Sequence, residues 1–154
     1  MPEAKVLTIS DGVANGTRED ASGDAVAAAL AAAGFDVVER RVIADGKDRV
    51  HDTLIELCFH FQGVIVTTGG TGFGTRDQTP EGTMGVLDRE APGMAEAMRL
   101  VSPLGRLSRA VAGTRGPVLI LNTPGSTKGA VETLTAVLDV VPHALDLLAG
   151  GHPH

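Results

Sequence analysis

The chain has 154 residues, of which 43% are hydrophobic and 21% are charged, and its formal net charge is −6. This length suits one domain with its own core, so we expect a single domain over residues 1–154 with a frayed tail at 150–154. The acidic balance and the absence of Trp and Tyr argue against a nucleic-acid-binding protein. The single cysteine and the lack of a signal peptide or bilayer-spanning apolar run predict a cytoplasmic protein without membrane contact, whose partner is a small molecule.

Strands and helices alternate in the first half of the chain. The predicted strands are 5–10, 36–43 and 63–68, and the predicted helices are 23–33 and 48–61. Asp20 or Ser22 can cap the first of these helices. The strand at 36–43 alternates apolar and charged residues and should lie towards a sheet edge, whereas the strand at 63–68 is apolar enough for the middle of a parallel sheet.

The second half continues this alternation. The predicted elements are helices at 84–89, 93–101, 104–111 and 127–141 and a strand at 117–122. Thr79, Pro80 and Glu81 are typical of an N-cap, a first helical residue and a first-turn acid, so a helix should begin there. Pro142 should kink or restart the last helix. The pattern as a whole predicts an α/β sandwich around a mainly parallel sheet.

Polar loops follow three of the predicted strands, at 10–12, 67–77 and 122–126. Ligands of open α/β sheets bind beyond the carboxyl ends of the strands, so these loops should form the site. The central loop reads TTGGTGFGTRD, and its glycines at 69, 70, 72 and 74 could turn successive N–H groups towards one anion. The threonine hydroxyls at 67, 68, 71 and 75 would add donors. The spacing is neither that of a Walker A loop nor that of the dinucleotide fingerprint, and a tight turn without a ligand is the alternative.

Carboxylates accompany this glycine-rich loop. Asp77 beside a phosphate would repel it unless a cation such as Mg²⁺ lay between them. Asp45, Asp11 and Asp20 could reach the same edge, and such a set suits metal-assisted phosphoryl or nucleotidyl transfer. A solvated loop or a helix cap is the alternative for each acid. Arg76, Lys128 and Arg18 could neutralise a triphosphate, although a surface role is favoured for Arg18.

Four segments together resemble one family. SDG with the later D.SG, VTTGGTGFGTRDQTPE, DREAPGMAEAMR and LNTPGS are similar to the MogA/MoaB family of molybdenum-cofactor biosynthesis proteins over residues 5–148. The resemblance implies a three-layer α/β sandwich that forms a homotrimer and binds molybdopterin. It also implies ATP- and Mg²⁺-dependent adenylylation of the pterin phosphate, release of pyrophosphate, and a downstream molybdenum-insertion protein as a possible partner.

The resemblance also implies site residues. Asp45 and Asp77 match the catalytic aspartates, which would hold Mg²⁺ through ATP. The expected substrate-binding and phosphate-binding residues are Ser10, Asp11, Asp20, Ser22, Thr68, Gly69, Gly70, Thr71, Gly72, Arg76, Asn122, Pro124, Gly125 and Ser126. The chain departs from the family in two places: Ala44 and Gly46 flank Asp45 where a proline and an acid are usual, and Gly12 stands where arginine is common.

Three alternatives stay open at this point. A non-catalytic molybdopterin-binding or scaffold protein of the same fold would bind the pterin without turnover. A nucleotide pyrophosphatase of the competence-damage type is disfavoured, because such proteins continue into further domains and this chain has 154 residues. A regulatory protein without a small ligand would leave the glycine-rich loop and its acid unexplained.

Overall fold

The computed structural model describes residues 1–151, and residues 152–154 of the predicted frayed tail lie outside them. The strands are β1 (Glu3–Ile9), β2 (Asp36–Ile43), β3 (Gly63–Thr68), β4 (Arg89–Glu90), β5 (Ala112–Arg115) and β6 (Val118–Thr123). The helices are α1 (Asp11–Ala14), α2 (Ala21–Ala32), α3 (Lys47–Cys58), α4 (Thr79–Met84), α5 (Pro92–Arg99), α6 (Thr127–Leu138) and α7 (Val141–Leu148), with a 3₁₀ helix at Pro103–Leu107.

The strands form a six-stranded sheet in the order β2-β1-β3-β6-β5-β4. The pairs among β2, β1, β3 and β6 are parallel, whereas β5 pairs antiparallel with both β6 and β4. The predicted mainly parallel sheet is therefore confirmed, with β2 at an edge and β3 in the middle. Because the four parallel strands end at the same edge of the sheet, the loops that follow them are brought together there.

Helices cover both faces of the sheet, which confirms the three-layer sandwich. Along β3, Val64 and Val66 belong to one buried cluster together with Leu134 of α6. Ile65 points to the opposite face and packs in a second cluster with Leu54 of α3. This alternation is the period-two pattern of a strand that is buried on both faces, and each such side chain contributes about 1.5–3 kcal/mol on burial.

Two predicted helices are wrong. Helix α4 ends at Met84, and the predicted helix at 84–89 is replaced by a turn leading into β4. The predicted helix at 104–111 is a short 3₁₀ helix, and the strand β5 that follows was missed. The reason lies in tertiary pairing: Gly113 packs so closely against Arg89 that a methyl group on it would clash with the Arg89 carbonyl oxygen. The secondary-structure propensities of the local residues do not depend on that pairing, so they could not predict it.

Helix ends show smaller differences. Asp20 caps α2 as predicted, and α6 stops at Leu138 before α7 restarts with Pro142 in its first turn. Thr79 was predicted as an N-cap, but it lies inside α4 and Gln78 precedes the helix. The Thr79 hydroxyl is buried and donates to the carbonyl oxygen of Gly69 at 2.9 Å, so it ties the helix to the preceding loop.

None of the helices within residues 1–151 combines the length and the apolar composition needed to cross a bilayer.

Candidate active site

The glycine-rich loop begins where β3 ends. Gly69 and Gly70 have φ angles of 105° and 70°, in the left-handed region that favours glycine. A methyl group on Gly69 would clash with the Ile9 carbonyl oxygen, and one on Gly70 would clash with Oγ1 of Thr79. Both conformation and close approach therefore require glycine at these positions.

Asp77 closes the other end of this loop. The Gly74 amide donates to Asp77 Oδ2 at 2.9 Å, so the carboxylate folds back over the loop that precedes it. Gly72 and Gly74 do not have left-handed backbones, but methyl groups on them would lie 3.1 and 2.9 Å from Asp77 Oδ2. The glycines thus make room for the carboxylate as well as for a tight turn.

Asp11, Asp45 and Arg76 link three loops, and we call this set the clasp. The Asp11 amide donates to the Asp45 carboxylate at 3.0 Å, and the Asp45 amide donates back to the Asp11 carboxylate at 3.1 Å. Arg76 donates to both carboxylate oxygens of Asp11, at 2.5 and 2.9 Å, and to the Asp45 carbonyl oxygen at 3.2 Å. The ends of β1 and β2 are thereby joined to the glycine-rich loop.

The two carboxyl groups of the clasp have opposite pKa shifts. The hydrogen bond from Arg76 lowers the pKa of Asp11, which remains ionised. Desolvation raises the pKa of Asp45, and the negative charges of Asp11 and Asp77 add to this effect. Asp45 is therefore a partly desolvated carboxyl group that a bound cation would favour in its ionised form.

One of the two unusual neighbours of Asp45, Gly46, has a local explanation. Gly46 has φ of 141° and directly precedes α3, so it turns the chain from the end of β2 into that helix. A side chain there would strain the backbone. The reciprocal bonds with Asp11 hold Asp45 in place despite the departure from the family pattern.

Arg109 is a residue of this site that sequence reasoning missed. Its guanidinium donates to the carbonyl oxygens of Gly72 and Asp77, at 2.8 and 2.6 Å, and to the carboxylate of Glu81 at 2.6 Å. The Arg109 amide donates to the Thr71 carbonyl oxygen at 2.8 Å. Arg109 thus fixes the far side of the glycine-rich loop. A lone arginine after the 3₁₀ helix carries no sequence signal that could have revealed this.

Several residues expected to contact substrate are bonded within the protein. The Asp20 carboxylate caps α2 at Gly23 and accepts from Thr8 and Arg40. The hydroxyl of Thr68 donates to the Pro124 carbonyl oxygen at 2.8 Å. The Asp20 bonds tie the start of α2 to β1 and β2, and the Thr68 bond ties the end of β3 to the loop after β6. Both side chains are groups that the sequence assigned to a ligand.

Asn122 is a third such residue. It is fully buried, its amide nitrogen donates to the hydroxyls of Thr67 and Thr83, and its amide oxygen accepts from the Val111 backbone at 3.1 Å. The Thr67 hydroxyl, predicted as a ligand donor, is thus engaged inside the core. Asn122 fixes the position of β6 relative to α4 and the segment before β5.

Two cavities meet at the glycine-rich loop. The larger has a volume of about 560 Å³ and an apolar wall from α5, the 3₁₀ helix and the segment that follows: Ala95, Met98, Val101, Leu104, Leu107, Ala110 and Val111. The smaller, of about 410 Å³, has a polar wall that includes Ser10, Arg18, Glu19, Ser22, Asp45 and Thr68. Gly70, Asp77, Gly125 and Ser126 line both. An apolar chamber and a polar one therefore share Asp77 at their junction.

Most of the remaining predicted site residues also line these cavities. Thr71, Gly72, Asn122 and Pro124 line the apolar cavity, and Gly69 lines the polar one. Asp11, Asp20 and Arg76 line neither of the two. Their polar groups make the hydrogen bonds described above, so these residues support the loops of the site.

Comparison with known proteins identifies the family. The family described as a probable molybdopterin binding domain matches residues 5–143. The chain belongs to this family. A molybdopterin adenylyltransferase of Helicobacter pylori strain J99 is 39% identical, over 96% of this chain and 88% of the relative. The molybdopterin adenylyltransferase of Escherichia coli K12 is 37% identical, over 94% of this chain and 84% of the relative.

A solved structure supports this family assignment. The crystal structure of the molybdopterin biosynthesis enzyme MoaB from Thermus thermophilus is 45% identical and superposes with a TM-score of 0.92. The match covers 97% of this chain and 98% of that one. The family predicted from the quoted motifs is therefore confirmed, and so is the fold that the resemblance implied.

Replacing Asn122 by alanine should destabilise the protein. The substitution leaves the Val111 amide and two buried hydroxyls without their partner, at a cost of about 1–3 kcal/mol in the free energy of unfolding. Urea unfolding followed by circular dichroism measures this. Gln62→Ala, at an exposed position, is the control, and equal stability of the two variants would contradict the assigned role of Asn122.

Replacing Arg109 by alanine should loosen the glycine-rich loop. Because three charge-assisted donations are lost, amide hydrogen exchange over residues 71–77 should become about tenfold faster or more. Mass spectrometry of the exchanging protein measures the rate. Arg106→Ala is the matched control, since that guanidinium bonds only the nearby Pro103 carbonyl oxygen in the described part of the chain. Unchanged exchange in the Arg109 variant would refute the anchoring.

Proposed function

We propose that this protein is a molybdopterin adenylyltransferase. It would transfer the adenylyl group of ATP to the terminal phosphate of molybdopterin and release pyrophosphate. The observation that carries this proposal is the junction of an apolar and a polar cavity at Asp77, with Asp45 in the wall of the polar one. Relatives of the same family with this activity, at 37–39% identity, support it.

The two cavities suit the two substrates. Both volumes, about 560 and 410 Å³, lie in the range of small-molecule sites. The apolar walls of the larger cavity match a fused pterin ring, and the polar walls of the smaller one match a nucleotide and its phosphates. The glycine-rich loop between them would hold the pterin phosphate beside the α-phosphorus of ATP.

Magnesium fits as an ion held together with ATP. Within residues 1–151 no group of three or more His, Cys, Asp or Glu side chains could hold a metal alone. Mg²⁺ commonly binds one or two carboxylates and completes its shell with phosphates and water, which is what Asp45 and Asp77 can offer. When bound, Mg²⁺ would neutralise the charge of the triphosphate.

The chain's own residues would mainly position the reactants. An oxygen of the pterin phosphate attacks the α-phosphorus of ATP, and the bond from that phosphorus to the bridging oxygen breaks as pyrophosphate leaves. Lys128 lines the apolar cavity, and its side chain is 89% exposed with the ammonium only 3.7 Å from Glu132 in a surface pair, so it can turn towards the phosphates. Arg76 was expected to share that role, but it is paired with Asp11, so its contribution is to hold the clasp.

Further parts of the proposal rest on family resemblance. We propose that the protein acts as a single domain in a homotrimer in the cytoplasm and passes its product to a molybdenum-insertion protein. A binding-only protein of the same fold is the alternative, and ATP-dependent turnover distinguishes the two. The nucleotide pyrophosphatase alternative predicts hydrolysis of a phosphoanhydride bond of the nucleotide when no pterin acceptor is present.

Asp77→Asn should abolish most turnover while preserving pterin binding. Asparagine keeps an oxygen for the Gly74 amide but removes the charge, so the rate should fall about 100-fold or more. Adenylyl-molybdopterin and pyrophosphate are measured with purified molybdopterin, ATP and Mg²⁺. Parallel loss of pterin affinity and rate would count against this role, and wild-type pterin binding without product would favour the binding-only alternative.

The pH dependence of kcat/KM for ATP should reflect the ionisation of Asp45. Its pKa is raised by desolvation, so on acidification it becomes protonated at a higher pH than an ordinary aspartate, and the form that binds a cation is lost. The kcat/KM for ATP should therefore fall on its acid side above the usual aspartate range, because this parameter reports the free enzyme. Circular dichroism over the same range controls for unfolding. An acid limb at or below the ordinary aspartate pKa would contradict the prediction.

A further inference from the structure

Arg18 is held at the mouth of the polar cavity by the loop that follows α1. Its amide donates to the carbonyl oxygen of Gly12 at 3.1 Å, and the Thr17 amide donates to the same oxygen at 2.9 Å. The chain therefore turns back over the start of α1. This fixes the backbone from which the Arg18 side chain projects.

Gly12 provides the surface on which the Arg18 side chain lies. A methyl group on Gly12 would be 2.6 Å from Cδ and 3.0 Å from Cγ of Arg18. Such distances are shorter than carbon atoms tolerate, so any side chain at position 12 would displace the arginine. Gly12 does not have a left-handed backbone, and the requirement for glycine there comes from this close packing.

The guanidinium of Arg18 differs from the other arginines near the site. Arg76 is paired with Asp11, and Arg109 with Glu81 and loop carbonyl oxygens. Within residues 1–151 the side chain of Arg18 has no hydrogen bond or ion pair, although it lines the polar cavity with Glu19, Asp45 and Asp77. Arg18 is the one cationic side chain among the described residues that line this cavity, so an anion bound there would pair with it.

We propose that Arg18 binds a phosphate group of the nucleotide in the polar cavity, and that Gly12 keeps its side chain in place for this. The inference rests on the proposed function. A guanidinium matches phosphate oxygens with two parallel donors, and here it would also offset the repulsion from the acidic wall. Sequence analysis favoured a surface role for Arg18, because the spatial neighbours of an isolated arginine cannot be read from the chain.

The test is calorimetric titration with Mg²⁺ and the non-reacting analogue α,β-methylene-ATP. Arg18→Gln should weaken binding of the analogue about tenfold or more, and Arg18→Lys should restore part of the loss. The affinities of the wild type and the two Arg18 variants for inorganic tripolyphosphate should follow the same order. Adenosine should bind all variants alike, because it lacks the phosphates that Arg18 would contact.

Gly12→Ala gives an independent check. It should weaken binding of the analogue when Arg18 is present and change nothing further in the Arg18→Gln background, because its effect acts through the displaced arginine. Equal losses in both backgrounds would overturn the role of Gly12. Circular dichroism confirms that each variant is folded.

The outcomes separate this inference from the proposed function. Wild-type binding and turnover with unchanged affinity in Arg18→Gln would overturn the role of Arg18 and leave the adenylyltransferase intact. A wild-type protein that binds neither the analogue nor ATP would overturn the proposed function and this inference with it. A loss in Arg18→Gln that also affects adenosine would place the effect away from the phosphates and refute the inference.

Discussion

The parallel pairing of β3 with β1 and β6 is the constraint on which the site depends. The last residue of β3, Thr68, lies level with Thr8 of β1 and Thr123 of β6. Because these strands run in the same direction and are buried on both faces, their carboxyl ends stay fixed relative to one another. The loops after them can then exchange hydrogen bonds over a few ångströms, as the bond from Thr68 to the Pro124 carbonyl oxygen shows.

Arginine side chains form ion pairs with the acidic side chains that these converging loops bring together. Arg76 satisfies Asp11 and thereby supports Asp45, while Arg109 holds the carbonyl oxygens of the glycine-rich loop. A loop with two left-handed glycines has little conformational preference of its own, so these bonds from outside it determine its shape. Arg76 and Arg109 are held within the protein because carboxylates and carbonyl oxygens of neighbouring loops lie within their reach.

The sequence predictions were accurate where the structure depends on residues close together in the chain, and they failed where it depends on distant pairing. The strands at 36–43 and 63–68, the restart at Pro142 and the cap at Asp20 depend on neighbouring residues, and the structure confirms them. Strand β5 was missed, because it exists through pairing with β4 and β6. The glycine-rich loop, which is one continuous segment, follows β3 as predicted, although its hydroxyl groups at Thr67 and Thr68 have partners inside the protein.

The sequence by itself determined the family, the layered fold and the loop that carries Asp77, since these follow from motifs and periodicities written in consecutive residues. Only the tertiary structure decided which hydrogen bonds the other polar residues make. The partners of the Arg76 and Arg109 side chains lie 28 to 65 positions away along the chain, and Asn122 bonds across 11 to 55 positions. Such contacts depend on strand register and loop shape, which no local pattern encodes.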